Sequence, residues 1–226
     1  KVYDDSGIMS DRQKKKVFPD GFQWGVATSA FQLEGAPSAD WTTWDPVLSD
    51  VPEITNHYTL FREDLKLLKE LGVNSYRFSL EWSRIQPRPD TWDEEAISHY
   101  QAIIDILRSY DIEPMVTLHH FTHPRWFIER YPWHKTASIE KFLRYTEMMV
   151  STLTGVRYWI TFNEPYVILI GGYLDGCTPP GLRDVPSSLV ALKNIFTSHG
   201  KAYDIIHRYI PDARVSVAHN MSVFAP

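Results

Sequence analysis

Four polar or titratable side chains, Gln32, Arg77, His120 and Glu164, fall where apolar runs give out along this 226-residue sequence. Glu164 is the clearest. Tyr158-Trp159-Ile160-Thr161-Phe162 is apolar, β-branched and aromatic, and it ends abruptly in Asn163-Glu164-Pro165. Pro165 cannot extend a strand ladder and restricts the glutamate before it to an extended or turn conformation. The run reads as a buried strand delivering a carboxyl group to its C-terminal rim, where barrel and open α/β enzymes do their chemistry. Taken alone, it reads equally as a strand followed by a polar loop with an incidental glutamate.

His119-His120-x-x-His123 resembles a metal-ligand spacing, but neighbours on a strand point to opposite faces, so His119 and His120 cannot easily share an ion. The expectation is a ligand-binding His120, with packing or surface roles for His119 and His123, and no metal site.

The elements that must hold these side chains alternate. After a polar, aperiodic stretch over residues 1–16, expected to be a disordered or tag-like tail, a first strand spans about Gln23 to Ala30, with Gln32 and Glu34 at its end. A long loop from Pro37 to Ile54 carries Trp41, Trp44, Pro46 and Pro52. Apolar residues at Phe61, Leu65 and Leu68 predict a helix over 58–71, stopped by Gly72. A strand then runs from Asn74 to Trp82 and includes Glu81. A helix opens near Asp93, and a strand follows from Glu113 to Phe121. A helix over 139–153 leads to the Glu164 strand. A Gly/Pro-rich loop over 171–186, a helix over about 188–209 and a strand over 213–220 complete the order.

Five strands separated by helices, without a hairpin signal, predict a parallel sheet in an α/β protein. No Gly-x-Gly-x-x-Gly follows the first strand and no Gly-Lys-Ser/Thr loop occurs, so a nucleotide-binding sheet is disfavoured and a barrel favoured.

A net charge of −5 excludes an extended nucleic-acid surface, with Lys14-Lys15-Lys16 the only basic run. One cysteine, Cys177, excludes an intrachain disulfide scaffold, and no apolar run is long enough for a membrane helix. The expectation is a soluble, cytoplasmic protein without nucleic-acid or membrane partners. Asn220-Met221-Ser222 matches a glycosylation sequon but closes a predicted strand. Aromatics make up 14% of the chain, a surplus that suits stacking against flat apolar faces as well as filling a core.

Taken together, five segments resemble glycoside hydrolase family 1: Phe18-Pro19-x-Gly21-Phe22-x-Trp24-Gly25-x-Ala27-Thr28-Ser29-Ala30 with Gln32-x-Glu34-Gly35; Arg77-Phe78-Ser79-Leu80-Glu81-Trp82-Ser83-Arg84-Ile85; Thr117-Leu118-His119-His120-Phe121-x-x-Pro124; Trp159-Ile160-Thr161-Phe162-Asn163-Glu164-Pro165; and Gly172-Tyr173 with Pro179-Pro180-Gly181. The resemblance implies a (β/α)8 TIM barrel, of which residues 17–226 hold about the first five β/α units, and β-glucosidase or β-galactosidase activity without a cofactor. It implies that Glu164 is the general acid/base, that Asn163 bonds the sugar 2-hydroxyl, that Gln32 and His120 bind glycone hydroxyls, and that Arg77 orients the nucleophile. Phe121 stands where many members carry Trp, and Val167 and Ile168 should lie on the leaving-group side. The loop over Trp41–Pro52 and the Tyr131-Pro132-Trp133 region are further candidates to shape that side.

A retaining glycosidase needs two carboxyl groups about 5–5.5 Å apart, one an acid that later serves as base and the other an ionised nucleophile. The family's Thr-Glu-Asn-Gly nucleophile strand and its terminal Trp-rich strand do not occur in this sequence. Glu81, placed within a strand, and Glu34, in an end motif, are poor substitutes. The expected partners are therefore a small carbohydrate and a complementary C-terminal barrel segment, either a second chain or a cleaved fragment that stays bound, without which the chain is inactive or weak. The alternative is a non-catalytic carbohydrate-binding or interaction module derived from the same fold.

Overall fold

A computed structural model describes residues 18–44 and 55–221. The expected tail over 1–16, the prolines Pro46 and Pro52, and the last residue of the sequon lie outside the described residues.

Five strands form one sheet: β1 (Gly25–Ala27), β2 (Ser75–Ser79), β3 (Glu113–His119), β4 (Tyr158–Asn163) and β5 (Arg214–Ala218). All four pairings are parallel, and the spatial order is the chain order, β1-β2-β3-β4-β5. A doubly wound sheet reverses order at a switch point, and this one does not. Parallel neighbours joined in chain order by crossovers of the usual right hand place their helices on one side of the sheet, which is the arrangement of a (β/α)8 barrel wall. The described chain forms five strands and the four helical connections between them, a partial wall of such a barrel.

The connecting helices grow from their sequence signals. After β1 come α1 (Ala30–Glu34) and α2 (Asp40–Trp44), then α3 (His57–Leu71), which Gly72 ends in the left-handed conformation at φ 79°. After β2 come α4 (Trp82–Ile85) and α5 (Glu94–Ser109), the latter capped by the Asp93 carboxylate accepting from Ala96 N at 2.9 Å. After β3 come α6 (Arg125–Arg130) and α7 (Ala137–Thr152). After β4 come α8 (Pro165–Leu169), a π-turn over Ile170–Leu174, and α9 (Val185–Tyr209).

The core fills the layer between strands and helices. Tyr76, Phe78, Val116, Leu118 and Trp159 of the sheet meet Leu65, Tyr100, Ile104, Phe142, Tyr145, Ile195 and Ile206 of the helices. Full burial of such side chains contributes about 1.5–3 kcal/mol each for the aliphatic ones, before entropy is counted.

Four expectations need correction. The first strand is only Gly25–Ala27, so Gln32 and Glu34 belong to α1 and not to a strand end. Glu81 lies beyond β2 and is the N-cap of α4, where its carboxylate accepts from Ser83 N at 3.1 Å. The stretch after Pro37 is not all loop, since α2 carries both Trp41 and Trp44. Helix α9 starts at Val185, three residues before the expected start, because Asp184 caps it through Ser187 N.

Candidate active site

The rim of the barrel wall gathers its polar groups at the C-terminal ends of β2, β3 and β4. Arg77 is the hub. Its Nε donates to Thr117 Oγ1 at 2.9 Å and its Nη2 donates to Asn163 Oδ1 at 2.6 Å, so one guanidinium ties three strands together. Burial lowers the Arg77 pKa, and the nearby Glu164 carboxylate opposes that shift. Arginine remains charged in either case. The rim therefore holds a fixed, partly buried cation beside a carboxyl group.

Glu164 is positioned by strain and by the sheet edge. Its backbone is left-handed, φ 46° and ψ 64°, and it caps α8 with Pro165 at the first helical turn. This differs from the extended or turn conformation that Pro165 suggests. The physical reason lies in the neighbouring ladder: β4 shifts register against β5 between Ile160 and Asn163, and Glu164 N donates to Ala218 O at 2.7 Å. The bulge turns the chain at the strand end, and the helix that follows fixes it. Non-glycine residues at positive φ concentrate at functional sites, and among the described residues they number four, of which Phe121 at φ 72° is another rim residue.

His120 lies just past the end of β3 and is partly buried. Burial, and secondarily the Arg77 charge, push its pKa down to about 4, so it is a neutral imidazole at pH 7. Its Nδ1 is buried without a hydrogen-bond partner among the described residues. Asn163 is buried, with its Oδ1 held by Arg77. Gln32 is exposed on α1, and its Oε1 accepts from Ser29 Oγ at 2.5 Å. The structure thus brings Arg77, Asn163, Glu164 and His120 together, while the Gln32 side chain is joined to Ser29.

The remaining candidates have other duties. His123 is buried, and both ring nitrogens are engaged, Nδ1 with Asp40 Oδ2 at 2.8 Å and Nε2 as acceptor from Trp133 Nε1 at 2.8 Å. Its role is packing, as is that of the fully buried His119, whose pKa burial holds well below the usual range. Trp133 is completely buried and does not reach the rim surface. Glu81 is buried, and its carboxylate accepts from Ser83 Oγ at 2.6 Å and from Thr122 Oγ1 at 2.9 Å. Glu34 accepts from Tyr100 OH at 2.9 Å. Both carboxylates are consumed by the scaffold.

A cavity of about 240 Å³ opens beside the polar rim. Trp41, Phe121, Val167, Ile168, Gly171 and Cys177 are among its lining residues, and Asp175 is the one charged group among them. The Trp41 and Phe121 rings lie parallel, 6° between planes and 6.3 Å between centroids. Val167 and Ile168 belong to α8, so the helix that Glu164 caps forms part of the cavity wall. Sequence reasoning found Trp41, Val167 and Ile168 but not Asp40, which lies in contact with residues 83 positions away.

The family model described as "Glycosyl hydrolase family 1" matches residues 14–226. Beta-glucosidase A of Thermotoga maritima is 32% identical over 225 residues, covering 93% of this chain and 50% of the relative. The cytosolic beta-glucosidase of Homo sapiens is 35% identical over 222 residues, covering 89% of this chain and 47% of the relative. A solved structure of beta-glucosidase from Thermotoga maritima in complex with castanospermine superposes with a TM-score of 0.85 at 32% identity, over 92% of this chain and 51% of that one. The chain spans about half the length of the curated relatives it matches.

Proposed function

The chain belongs to glycosyl hydrolase family 1, and from that premise we propose that it supplies the acid/base half of a retaining β-glycosidase site for terminal β-D-glucosides or β-D-galactosides. The observation that carries this reading is the grouping of Arg77, Asn163 and Glu164: the guanidinium is hydrogen-bonded to the Asn163 amide and to Thr117, and it lies within electrostatic reach of the Glu164 carboxyl group. The related beta-glucosidases from Thermotoga maritima and Homo sapiens support it.

In the first step a carboxylate nucleophile attacks the anomeric carbon while Glu164 gives its proton to the glycosidic oxygen, and the alcohol leaves. In the second step the Glu164 carboxylate takes a proton from water, the water oxygen bonds the anomeric carbon, and the nucleophile is released. Asn163 bonds the 2-hydroxyl, where hydrogen bonds strengthen as the oxocarbenium-like transition state forms. His120, a neutral imidazole, bonds a glycone hydroxyl, as does Gln32 on α1. Arg77 orients the nucleophile and holds it ionised. Phe121 contacts the substrate at the boundary between sugar and leaving group.

The nucleophile belongs to a complementary segment outside these 226 residues, either further along a longer polypeptide or on a second chain. Glu34 and Glu81 support that reading, because their carboxylates are bound to Tyr100, Ser83 and Thr122. No described helix is long and apolar enough to cross a membrane, and the cytosolic human relative supports a cytoplasmic setting. The test is hydrolysis of 4-nitrophenyl β-D-glucoside and β-D-galactoside by this chain alone and by the chain together with the complementary segment. Turnover only in the joined form, with retention of anomeric configuration, is the expected outcome. A joined protein that binds these sugars without cleaving them would favour the carbohydrate-binding alternative.

A further inference from the structure

The described structure holds a buried hydrogen-bonded cluster that the proposed chemistry leaves unused, built on Asp40. Its side chain is 2% exposed, as is that of His123. Asp40 Oδ1 accepts from two backbone N–H groups, those of Trp41 and His123, both at 2.9 Å. Asp40 Oδ2 accepts a hydrogen bond from His123 Nδ1 at 2.8 Å. The backbone joins the same residues, with Asp40 N donating to His123 O at 2.9 Å. The indole of Trp133 can only donate, so His123 Nε2 accepts and Nδ1 carries the proton and donates to Asp40.

The two segments so joined are the walls of the apolar cavity. Asp40 opens α2, whose next residue is Trp41; His123 follows two residues after Phe121. The Trp41 ring rests on Phe121 on one side and meets Phe31 edge-on at 6.0 Å on the other. At the far end of α2, Trp44 Nε1 donates to Cys177 O at 3.1 Å, tying the helix to the opposite side of the cavity. Helix α2 has only five residues and no length with which to hold itself. Its placement rests on these side-chain bonds together with the backbone bridge between Ala39 and Pro124, and the carboxylate of Asp40 supplies three of the side-chain bonds.

We propose that Asp40 is a positioning residue for leaving-group selectivity: by clamping α2 to the loop after β3 it holds Trp41 and Phe121 as a flat apolar wall, and so favours flat apolar leaving groups. The proposal rests on the glycosidase reading above. A cavity of about 150 Å³ lined by apolar groups binds benzene, so about 240 Å³ accommodates a monocyclic aryl group. Asp40→Asn is the informative change. An amide nitrogen facing His123 Nδ1 requires an acceptor there, yet Trp133 already requires the acceptor at Nε2. A neutral imidazole has one acceptor, and the flipped amide would set its nitrogen against the Trp41 and His123 N–H donors, so at least one bond must break either way and the clamp loosens.

Titration calorimetry of the full protein with phenyl and methyl β-D-thioglucosides reads the effect, because the two share a sugar and resist hydrolysis. The wild type is expected to bind the phenyl compound about tenfold more tightly, the worth of one aromatic contact. In Asp40→Asn that ratio is expected to fall to about twofold with the methyl affinity little changed, a split that general destabilisation would not produce. Trp41→Leu removes the wall but leaves the clamp atoms, and it should lose the same ratio even if Asp40→Asn fails to fold. A wild-type ratio near one, a folded Asp40→Asn with the wild-type ratio, or a Trp41→Leu that keeps it would each overturn the proposal. If no thioglucoside binds, the glycosidase reading fails by itself. Phenol then serves as the remaining ligand: tighter binding to wild type than to Asp40→Asn upholds the clamp, and equal or no binding overturns it.

Discussion

The Arg77 guanidinium donates to Asn163 Oδ1 at 2.6 Å across the ends of β2 and β4, with Thr117 of β3 bonded to the same side chain at 2.9 Å. Three parallel strands are thereby held in register at the rim by one planar cation. This is also the contact that fixes which way the Asn163 amide faces: its oxygen is taken by Arg77, which leaves its nitrogen to donate.

Arg77→Lys keeps the charge and loses the fork, since an ammonium cannot span two acceptors held in one plane. The expected outcome is a loss of stability of about 1.5–3 kcal/mol, the worth of a hydrogen bond to a charged group. Where the chain forms part of an active protein, kcat/KM should fall with it, by at least about 100-fold. Urea unfolding and steady-state kinetics check the two parts separately.

His120 should remain neutral far below the usual histidine range. Burial and the Arg77 charge place its folded pKa at about 4, against an ordinary 6.5. Because the folded value is depressed, the unfolded chain takes up the proton first as pH falls. The contribution of neutral His120 is thus intact above about pH 6.5 and is lost progressively between 6.5 and 4, at most about tenfold in the folding equilibrium per pH unit. Nitrogen chemical shifts of the imidazole across pH 4–8 measure the titration directly. A His120→Asn variant should lose less stability than the wild type over the same window.

Gly181 has φ +75°, and a Cβ built there would overlap the Trp44 ring. Gly181→Ala is therefore expected to destabilise the protein by about 1–3 kcal/mol, combining backbone strain with displacement of the indole. Because Trp44 Nε1 donates to Cys177 O, the same change should speed alkylation of the exposed Cys177 thiol. Thermal melting and the rate of thiol labelling provide the two readouts.

Much of the architecture is legible in the residue pattern. The helices over His57–Leu71 and Glu94–Ser109 announce themselves by apolar spacing and by Gly72 and Asp93 at their ends. Strand β4 is legible because its apolar run stops so sharply at Asn163-Glu164-Pro165. The short helices α1, α2, α4, α6 and α8 are not legible, because four to six residues complete too few turns for a period to show. The left-handed Glu164 is also hidden, since the cause is a register shift against a strand more than fifty residues later. The Asp40–His123–Trp133 chain has no local signal either, as its members meet only when the loops after β1 and β3 are brought side by side.

The most direct test concerns Glu164 as proton donor. In the active protein, kcat/KM is measured for wild type and Glu164→Gln with a series of aryl and alkyl β-D-glucosides whose leaving groups span a wide range of acidity. A general acid contributes about 100- to 10,000-fold where the leaving group needs a proton and little where it does not. The account predicts that Glu164→Gln loses that factor on alkyl glucosides, keeps near-wild-type glycosylation of dinitrophenyl glucoside, and steepens the dependence on leaving-group acidity. Equal losses across the series, or no loss on alkyl glucosides, would contradict it.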